Sequence, residues 1–280
     1  MKKSLIILLC VVIFYILLQF LGRSFFQEHS FFNLLFGLIY LWIPGIVALV
    51  LSKREGTKFP IFAKPNRSFY LIPIYTFAIV VGVFLVSFLF GVDFVPNPAF
   101  QGESALKVIG LAVMFFFISY LFVVVLLTVL LLVPELYWRG YLWEKMKIRG
   151  PFKALWIVAL IWSIWQLPMA LFSVTPGFSM ILLDFLFIFL INFILTPVLT
   201  YFRVKCKSVL APAFFYSTLI AAFIYLIVLF PSDKTRDFAI YCSLILVGVI
   251  IFSLIFKLYF PSQWKKMTDK SMLKLFRKSS

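Results

Sequence analysis

The sequence predicts an all-α membrane protein, a polytopic bundle of about eight transmembrane helices. Hydrophobic residues make up 64% of the 280 positions and charged residues only 13%, whereas soluble domains average about 45–50% and about 25%. The apolar residues fall in continuous runs, each long enough for the roughly 20 residues that cross a bilayer as helix. A transmembrane barrel would instead need short strands of alternating polarity. A helical bundle is therefore the predicted fold class.

Eight apolar runs follow one another along the chain, separated by more polar connections. In order they are Ser4–Leu21, Phe31–Leu51, Tyr70–Phe90, Ile109–Val133, Ala154–Val174, Met180–Tyr201, Ser208–Phe230 and Phe238–Phe260. Pro44 in the second run removes a backbone donor and predicts a kink that neighbouring helices support. No repeat or low-complexity segment interrupts the series. We therefore expect residues 1–260 to form a single transmembrane domain, followed by a basic cytoplasmic tail over residues 261–280.

The distribution of the basic residues predicts the orientation of the bundle. The chain has 26 Lys and Arg against 10 Asp and Glu, which gives a net charge of +16. Most basic residues lie before the first run, in the even-numbered connections and in the tail. The positive-inside rule therefore places both termini in the cytoplasm. We expect this charge to contact the anionic lipids of the inner leaflet and not a nucleic acid.

Other polar residues offer few candidate sites. The lone histidine, His29, lies in the first outer connection and is interpreted as a solvated loop residue. The three cysteines are too widely spaced to predict a disulfide framework or a metal site, and we expect no cofactor. Asp184 and Asn192 are polar residues inside the sixth run. The simplest interpretation is that Asp184 reaches the outer interface or a polar neighbour; the alternative is a proton or ion pathway.

One stretch, Pro134–Leu142, places an acid and a base one helical turn apart at the end of the fourth apolar run. Glu135 and Arg139 are four residues apart with the acid first, the better orientation for an ion pair on one helix face. Charges beside hydrocarbon usually face a bundle interior, so the pair is either a structural clamp or part of a functional site. The mixed aromatic and charged residues that follow, up to Arg149, predict a helix that lies at the inner interface.

Three stretches, taken together, resemble the CPBP family, the intramembrane proteases that include the CAAX prenyl endopeptidases. The family motifs are Glu-Glu-x-x-x-Arg, an aromatic residue three short of a histidine, and a late His-x-x-x-Asn. They fall on Pro134–Arg139, Trp162–Pro168 and Tyr216–Ile220. Segments Trp42–Leu49 and Tyr201–Ala213 resemble further family features in the same order. The resemblance covers residues 40–222 and implies the fold of that family.

The resemblance also implies four catalytic positions, and all four are changed here. In the family, the first glutamate and the first histidine are thought to activate a water, and the late histidine and asparagine to stabilise the oxyanion. The corresponding residues are Pro134, Gln166, Tyr216 and Ile220. A general base must take a proton from the water that it activates. Neither the Pro134 side chain nor the Gln166 amide can accept that proton usefully. Of the family's charged motif groups, only Glu135 and Arg139 remain, and their implied role is to hold the site together.

We therefore expect a catalytically degenerate family member in a bacterial plasma membrane, which binds a membrane-embedded or lipidated peptide. One alternative is an active endopeptidase with Glu135 as its only base, helped by Gln166 and Tyr216. A second alternative is a transporter or channel with Asp184 on its pathway. The family interpretation predicts that Glu135, Gln166 and Tyr216 meet at one point in the cytoplasmic half of the membrane.

Overall fold

The structure of the protein, a computed structural model, is built from helices. The structure describes residues 2–22, 28–89, 102–171, 178–229 and 247–248, and within these ranges it contains no strand. In chain order the α-helices are α1 (Lys2–Leu21), α2 (Ser30–Glu55), α3 (Arg67–Tyr70), α4 (Ile72–Leu89), α5 (Ala105–Phe117), α6 (Val124–Glu135), α7 (Trp143–Met146), α8 (Pro151–Leu171), α9 (Phe178–Cys206) and α10 (Leu210–Leu229). Two π-helices, Ile118–Val123 and Leu136–Leu142, interrupt the run from α5 to α7, and the turn Lys147–Arg149 ends it. The predicted all-α class is confirmed.

Within the described ranges, five helices are long and apolar enough to cross a membrane. They are Lys3–Leu21, Phe31–Glu55, Arg67–Leu89, Val124–Arg149 and Phe185–Cys206; shorter apolar helices are Leu106–Phe117, Lys153–Pro168 and Leu210–Tyr225. These segments coincide with the first seven predicted runs, the fourth being divided in two. The tail and nearly all of the eighth run, Phe238–Phe260, lie outside the described residues. The count of eight spans and the cytoplasmic termini stay predictions.

The helix that carries Pro134–Leu142 lies inside the bundle and not at its surface. Every residue from Pro134 to Trp143 is buried. The expected interfacial helix, up to Arg149, is therefore buried among other helices over its first part, whereas Lys147–Arg149 at its end is exposed. Its aromatic side chains pack against other helices, as Trp138 does against Trp165 of α8, with ring centres 6.3 Å apart. Aromatic residues suit a membrane interface and a packed helix crossing equally well, so composition alone does not distinguish the two.

α2 approaches this central helix closely at Gly45. A Cβ added to Gly45 would overlap the carbonyl oxygen of Val133 and lie 2.6 Å from Val133 Cγ1. Nearby, the indole N–H of Trp42 donates to the carbonyl of Leu130 at 3.2 Å. That carbonyl loses its usual helical partner because Pro134, four residues further on, has no N–H. Trp42 thus supplies the hydrogen bond that Pro134 removes, and the close approach at Gly45 makes this contact possible.

The connection that follows α2 fixes the start of α10. The backbone N–H groups of Val209 and Leu210 donate to the carbonyls of Pro60 and Ile61, each at 3.1 Å. These two N–H groups lie at the N-terminus of α10. The first N–H groups of an α-helix have no hydrogen-bond partner within the helix itself. The connection therefore determines where α10 begins, and with it the position of the third motif stretch.

Candidate functional site

Glu135 and Arg139 form an ion pair inside the bundle. Nη1 of Arg139 lies 2.8 Å from Oε1 of Glu135, and the two side chains are 0% and 2% exposed, respectively. α6 ends at Glu135, and the π-helix Leu136–Leu142 begins directly after it. Single π-helical turns inside α-helices are rare and often occur at functional sites. Because both charges are removed from water, each depends on the other for its stability.

Neighbours on α8 and α9 hold Arg139 in place. Its Cζ atom lies 4.1 Å from the centre of the Trp162 ring, close enough for a cation–π interaction. Nη2 donates to the hydroxyl of Thr196 at 3.4 Å. The backbone carbonyl of Arg139 accepts a hydrogen bond from Nε of Arg203 at 3.2 Å. Both the side chain and the main chain of Arg139 are therefore fixed by helices distant in sequence.

The second and third motif stretches meet beside the ion pair. The Tyr216 ring on α10 lies edge-on to Trp162, with ring centres 5.8 Å apart. The Tyr216 hydroxyl lies beside the side chain of Gln166 and close enough to Glu135 and Arg139 to interact with their charges. The structure therefore brings Glu135, Gln166 and Tyr216 into one cluster. We call Glu135, Arg139, Gln166 and Tyr216 the polar cluster.

Asn192 extends the polar cluster towards α9. Its Nδ2 donates to Oγ of Ser163 and to Oε1 of Gln166, both at 3.3 Å. Asp184 lies about two turns earlier in α9, and its side chain is outside the described part of the structure. Asn192, which the transport hypothesis places with Asp184, is thus engaged with the motif residues of α8.

The remaining family positions bear apolar side chains. Pro134 is buried beside Glu135, and Ile220 is half-buried one turn beyond Tyr216. Among the described residues, no group of three or more His, Cys, Asp or Glu side chains could hold a metal ion. His29 lies at the start of α2, with its ring 6.2 Å from that of Phe32. The groups that can act at the polar cluster are one carboxylate, one guanidinium, one phenol and amides, which together favour hydrogen-bonded recognition of a polar group.

Sequence reasoning singled out Asn192 but missed three further buried polar residues on α9. Asn192, Thr196, Thr200 and Arg203 are all buried, with exposures of 2%, 0%, 3% and 5%. Their spacing of three and four residues places them on one helix face. Nη2 of Arg203 lies 3.3 Å from Oε1 of Glu144, so this face also contacts the end of the motif helix. The available signal is this polar spacing in an apolar run; the charge distribution accounts for Arg203, in the sixth connection, only as a topology charge.

The comparison with known families agrees with the resemblance inferred from the motif stretches. Residues 114–221 match the family described as type II CAAX prenyl endopeptidase Rce1-like. The match includes all three motif stretches and ends directly after the third, whereas Trp42–Leu49 lies outside it. No curated protein matches the chain. The predicted resemblance is thus confirmed: residues 114–221 of this apolar helical chain are similar to the Rce1-like CAAX protease family.

Proposed function

We propose that the protein is a catalytically degenerate member of this family, which binds a membrane-embedded or lipidated polypeptide without cleaving it. The polypeptide docks at the polar cluster. The protein lies in a bacterial plasma membrane with its termini in the cytoplasm, where its basic connections contact anionic lipids.

The observation that carries the proposal is the state of Glu135. Its Oε1 atom is bound to the Arg139 guanidinium at 2.8 Å. Hydrolysis of a peptide bond needs a base that takes a proton from water. If Glu135 took that proton, it would leave a buried guanidinium without its counter-charge, which is strongly unfavourable. The surviving acid is therefore suited to hold Arg139 and not to activate water.

The other members of the polar cluster do not replace the missing base. The Gln166 amide is not a useful proton acceptor at neutral pH, and Tyr216, beside that amide, is a phenol that stays protonated there. Tyr216 can donate a hydrogen bond to an oxyanion, and one such donor is worth about 2.7–4 kcal/mol in known enzymes. That contribution acts only once a nucleophile has been generated. These substitutions support binding without hydrolysis.

The retained polar groups support a binding role. Polar side chains inside a membrane protein are costly and usually face the bundle interior or a cavity. Gln166 and Tyr216 are half-buried, whereas Glu135 and Arg139 are closed off. The partly exposed side of the cluster is thus the side of Gln166 and Tyr216. A partner that contacts the cluster on this side contacts the amide of Gln166 and the phenol of Tyr216.

Site-specific photocrosslinking tests this proposal. We expect Gln166→p-benzoylphenylalanine to give a discrete protein adduct in intact cells. The attached polypeptide, identified by mass spectrometry, should carry a transmembrane segment or a lipidated terminus. The matched control is the same substitution at Leu160, which lies on the same helix and is 43% exposed.

The yield of polypeptide adduct from position 166 should exceed that from position 160 by about tenfold. Equal yields at the two positions, or adducts with lipid alone at position 166, would contradict binding at the polar cluster. The substituted proteins should first be compared with the unsubstituted chain in their thermal unfolding.

A further inference from the structure

The connection that leaves α2, residues 56–66, has two different faces. From position 57 to position 64 the odd-numbered residues are half-buried and the even-numbered ones are exposed, which is the period of an extended chain. The inward face packs on the bundle: a Cβ added to Gly140 of the central helix would lie 2.8 Å from Cε2 of Phe59. The outward face carries Lys58, Pro60, Phe62 and Lys64.

Hydrogen bonds hold this connection in one position. The carbonyl of Ile61 accepts from the backbone N–H of Leu210 at 3.1 Å and from the hydroxyl of Ser208 at 2.7 Å. Nδ2 of Asn66 donates to the carbonyl of Lys205 at 2.9 Å. These partners all lie where α9 gives way to α10. Because the backbone is already fixed, a ligand on the outward face binds without the cost of ordering the connection.

The connection and the first residue of α3 carry three positive charges that no acid neutralises. Lys58, Lys64 and Arg67 are exposed, and none of them forms an ion pair with another described residue. No Asp or Glu occurs from position 56 to position 71. The acid directly before, Glu55, is already paired with Lys145 at 2.8 Å. The three charges are therefore available to an anionic ligand.

An exposed aromatic ring lies among these charges. Phe62 is 67% exposed. The helices on either side, Phe31–Glu55 and Arg67–Leu89, are each long and apolar enough to cross a membrane, so the short connection between them lies at a membrane surface. An aromatic ring there can enter the boundary between headgroups and acyl chains, while the long basic side chains reach the phosphates. We define the basic face by four residues, Lys58, Phe62, Lys64 and Arg67.

We propose that the basic face is a binding site for the headgroups of anionic phospholipids, with its basic side chains on the phosphates and the Phe62 ring inserted beside the acyl chains. The proposed function gives anionic lipids to the basic connections in general, as a diffuse attraction. Here one connection, fixed by hydrogen bonds, binds them at a defined place. A negatively charged bilayer surface matches both features of the face, its positive charge and its exposed ring.

Photocrosslinking from the aromatic position tests the proposal on the full chain. Phe62→p-benzoylphenylalanine is placed in nanodiscs that contain equal amounts of phosphatidylglycerol and phosphatidylcholine with the same acyl chains. After irradiation, the attached lipid is identified from the mass of the adduct. We expect lipid adducts, because the ring at position 62 lies in the bilayer. Phosphatidylglycerol should exceed phosphatidylcholine among them by about tenfold, because three basic side chains surround the ring.

Two triple variants, made in the same crosslinking background, separate a defined site from diffuse attraction. The first neutralises the basic face, with Lys58→Gln, Lys64→Gln and Arg67→Gln. The second removes the same number of charges from exposed residues elsewhere, with Lys3→Gln, Arg149→Gln and Lys153→Gln. We expect the first to lower the lipid preference to less than about threefold and the second to keep it near tenfold. Both variants change only exposed side chains, and their thermal unfolding should be compared first.

Equal yields of the two lipids at position 62, or no lipid adduct there, would overturn the proposal. Both results come from protein whose basic residues are unchanged. An equal loss of preference in the two triple variants would also overturn it, since the attraction would then be diffuse. A polypeptide adduct in place of lipid, in intact cells, would make the face a protein-docking surface instead. None of these outcomes decides the proposed function, which crosslinking at position 166 tests separately.

Discussion

Replacing Arg139 by methionine is expected to destabilise the folded protein by about 3–5 kcal/mol, because it leaves the Glu135 carboxylate buried without a counter-charge. The guanidinium that is lost also stacks on Trp162, at 4.1 Å from the ring centre, and donates to Thr196. The measurement is the free energy of unfolding in detergent, obtained by titration with a denaturing detergent. A loss of this size would exceed most single substitutions in a folded protein.

The matched control removes both charges. Glu135→Leu combined with Arg139→Met replaces the buried pair by apolar side chains, which is often neutral or stabilising when the replacements pack well. We expect the double variant to recover most of the stability that Arg139→Met loses. A double variant as unstable as the single one would mean that the pair's contacts with Trp162 and Thr196, and not its charge balance, dominate its contribution.

Gly45→Ala is expected to be the most damaging conservative change in α2. The added methyl group would overlap the Val133 carbonyl and approach Val133 Cγ1 to 2.6 Å. Because the obstacle is backbone, α2 must move away from the central helix. Overpacking of this kind costs about 1–3 kcal/mol, and occasionally more. The movement would also weaken the Trp42 bond to Leu130, so we expect a loss in the upper part of that range.

The control for this prediction is Gly110→Ala in α5. No atom lies within 4 Å of the position that its Cβ would take, and alanine is favoured over glycine within a helix by about 0.5–1 kcal/mol. We expect Gly110→Ala to be neutral or slightly stabilising, measured as a thermal unfolding midpoint beside that of Gly45→Ala. Equal midpoints for the two variants would show that the crossing at Gly45 tolerates a larger separation.

The local parts of the site could be predicted from the sequence. The spacing of Glu135 and Arg139 predicts a pair on one helix face, and the structure places their charged atoms 2.8 Å apart. The resemblance to family motifs also predicted which helices contribute to the site, since it aligned Gln166 and Tyr216 with positions that share a site. Both inferences depend on order and spacing along the chain, which a sequence displays directly.

The supporting contacts could not be predicted, because they join residues far apart in sequence. The bond from Arg203 to the main chain of Arg139 depends on how α9 crosses the central helix. The pairing of Trp42 with Leu130 likewise depends on the approach at Gly45. Nothing in the local sequence distinguishes Trp42 from an ordinary interfacial residue, or Arg203 from a positive-inside charge of an even-numbered connection.

Pro134 lies where the family resemblance places the first glutamate of the motif. A proline at the position of the family's first glutamate removes a titratable group and also a backbone donor. Trp42 compensates for the second loss by donating to the Leu130 carbonyl at 3.2 Å. The Leu130 carbonyl therefore keeps a hydrogen-bond donor although Pro134 cannot supply one.

The most direct test of this account is a search for cleavage by the purified, reconstituted chain. Lipidated peptides and single-span helices are incubated with the protein in nanodiscs, and newly formed termini are quantified by mass spectrometry against a spiked, pre-cut standard. We predict no new termini, and no difference between the unsubstituted protein and Glu135→Gln. New termini that appear with the unsubstituted protein and disappear with folded Glu135→Gln would contradict the account and assign Glu135 as the base of an active endopeptidase.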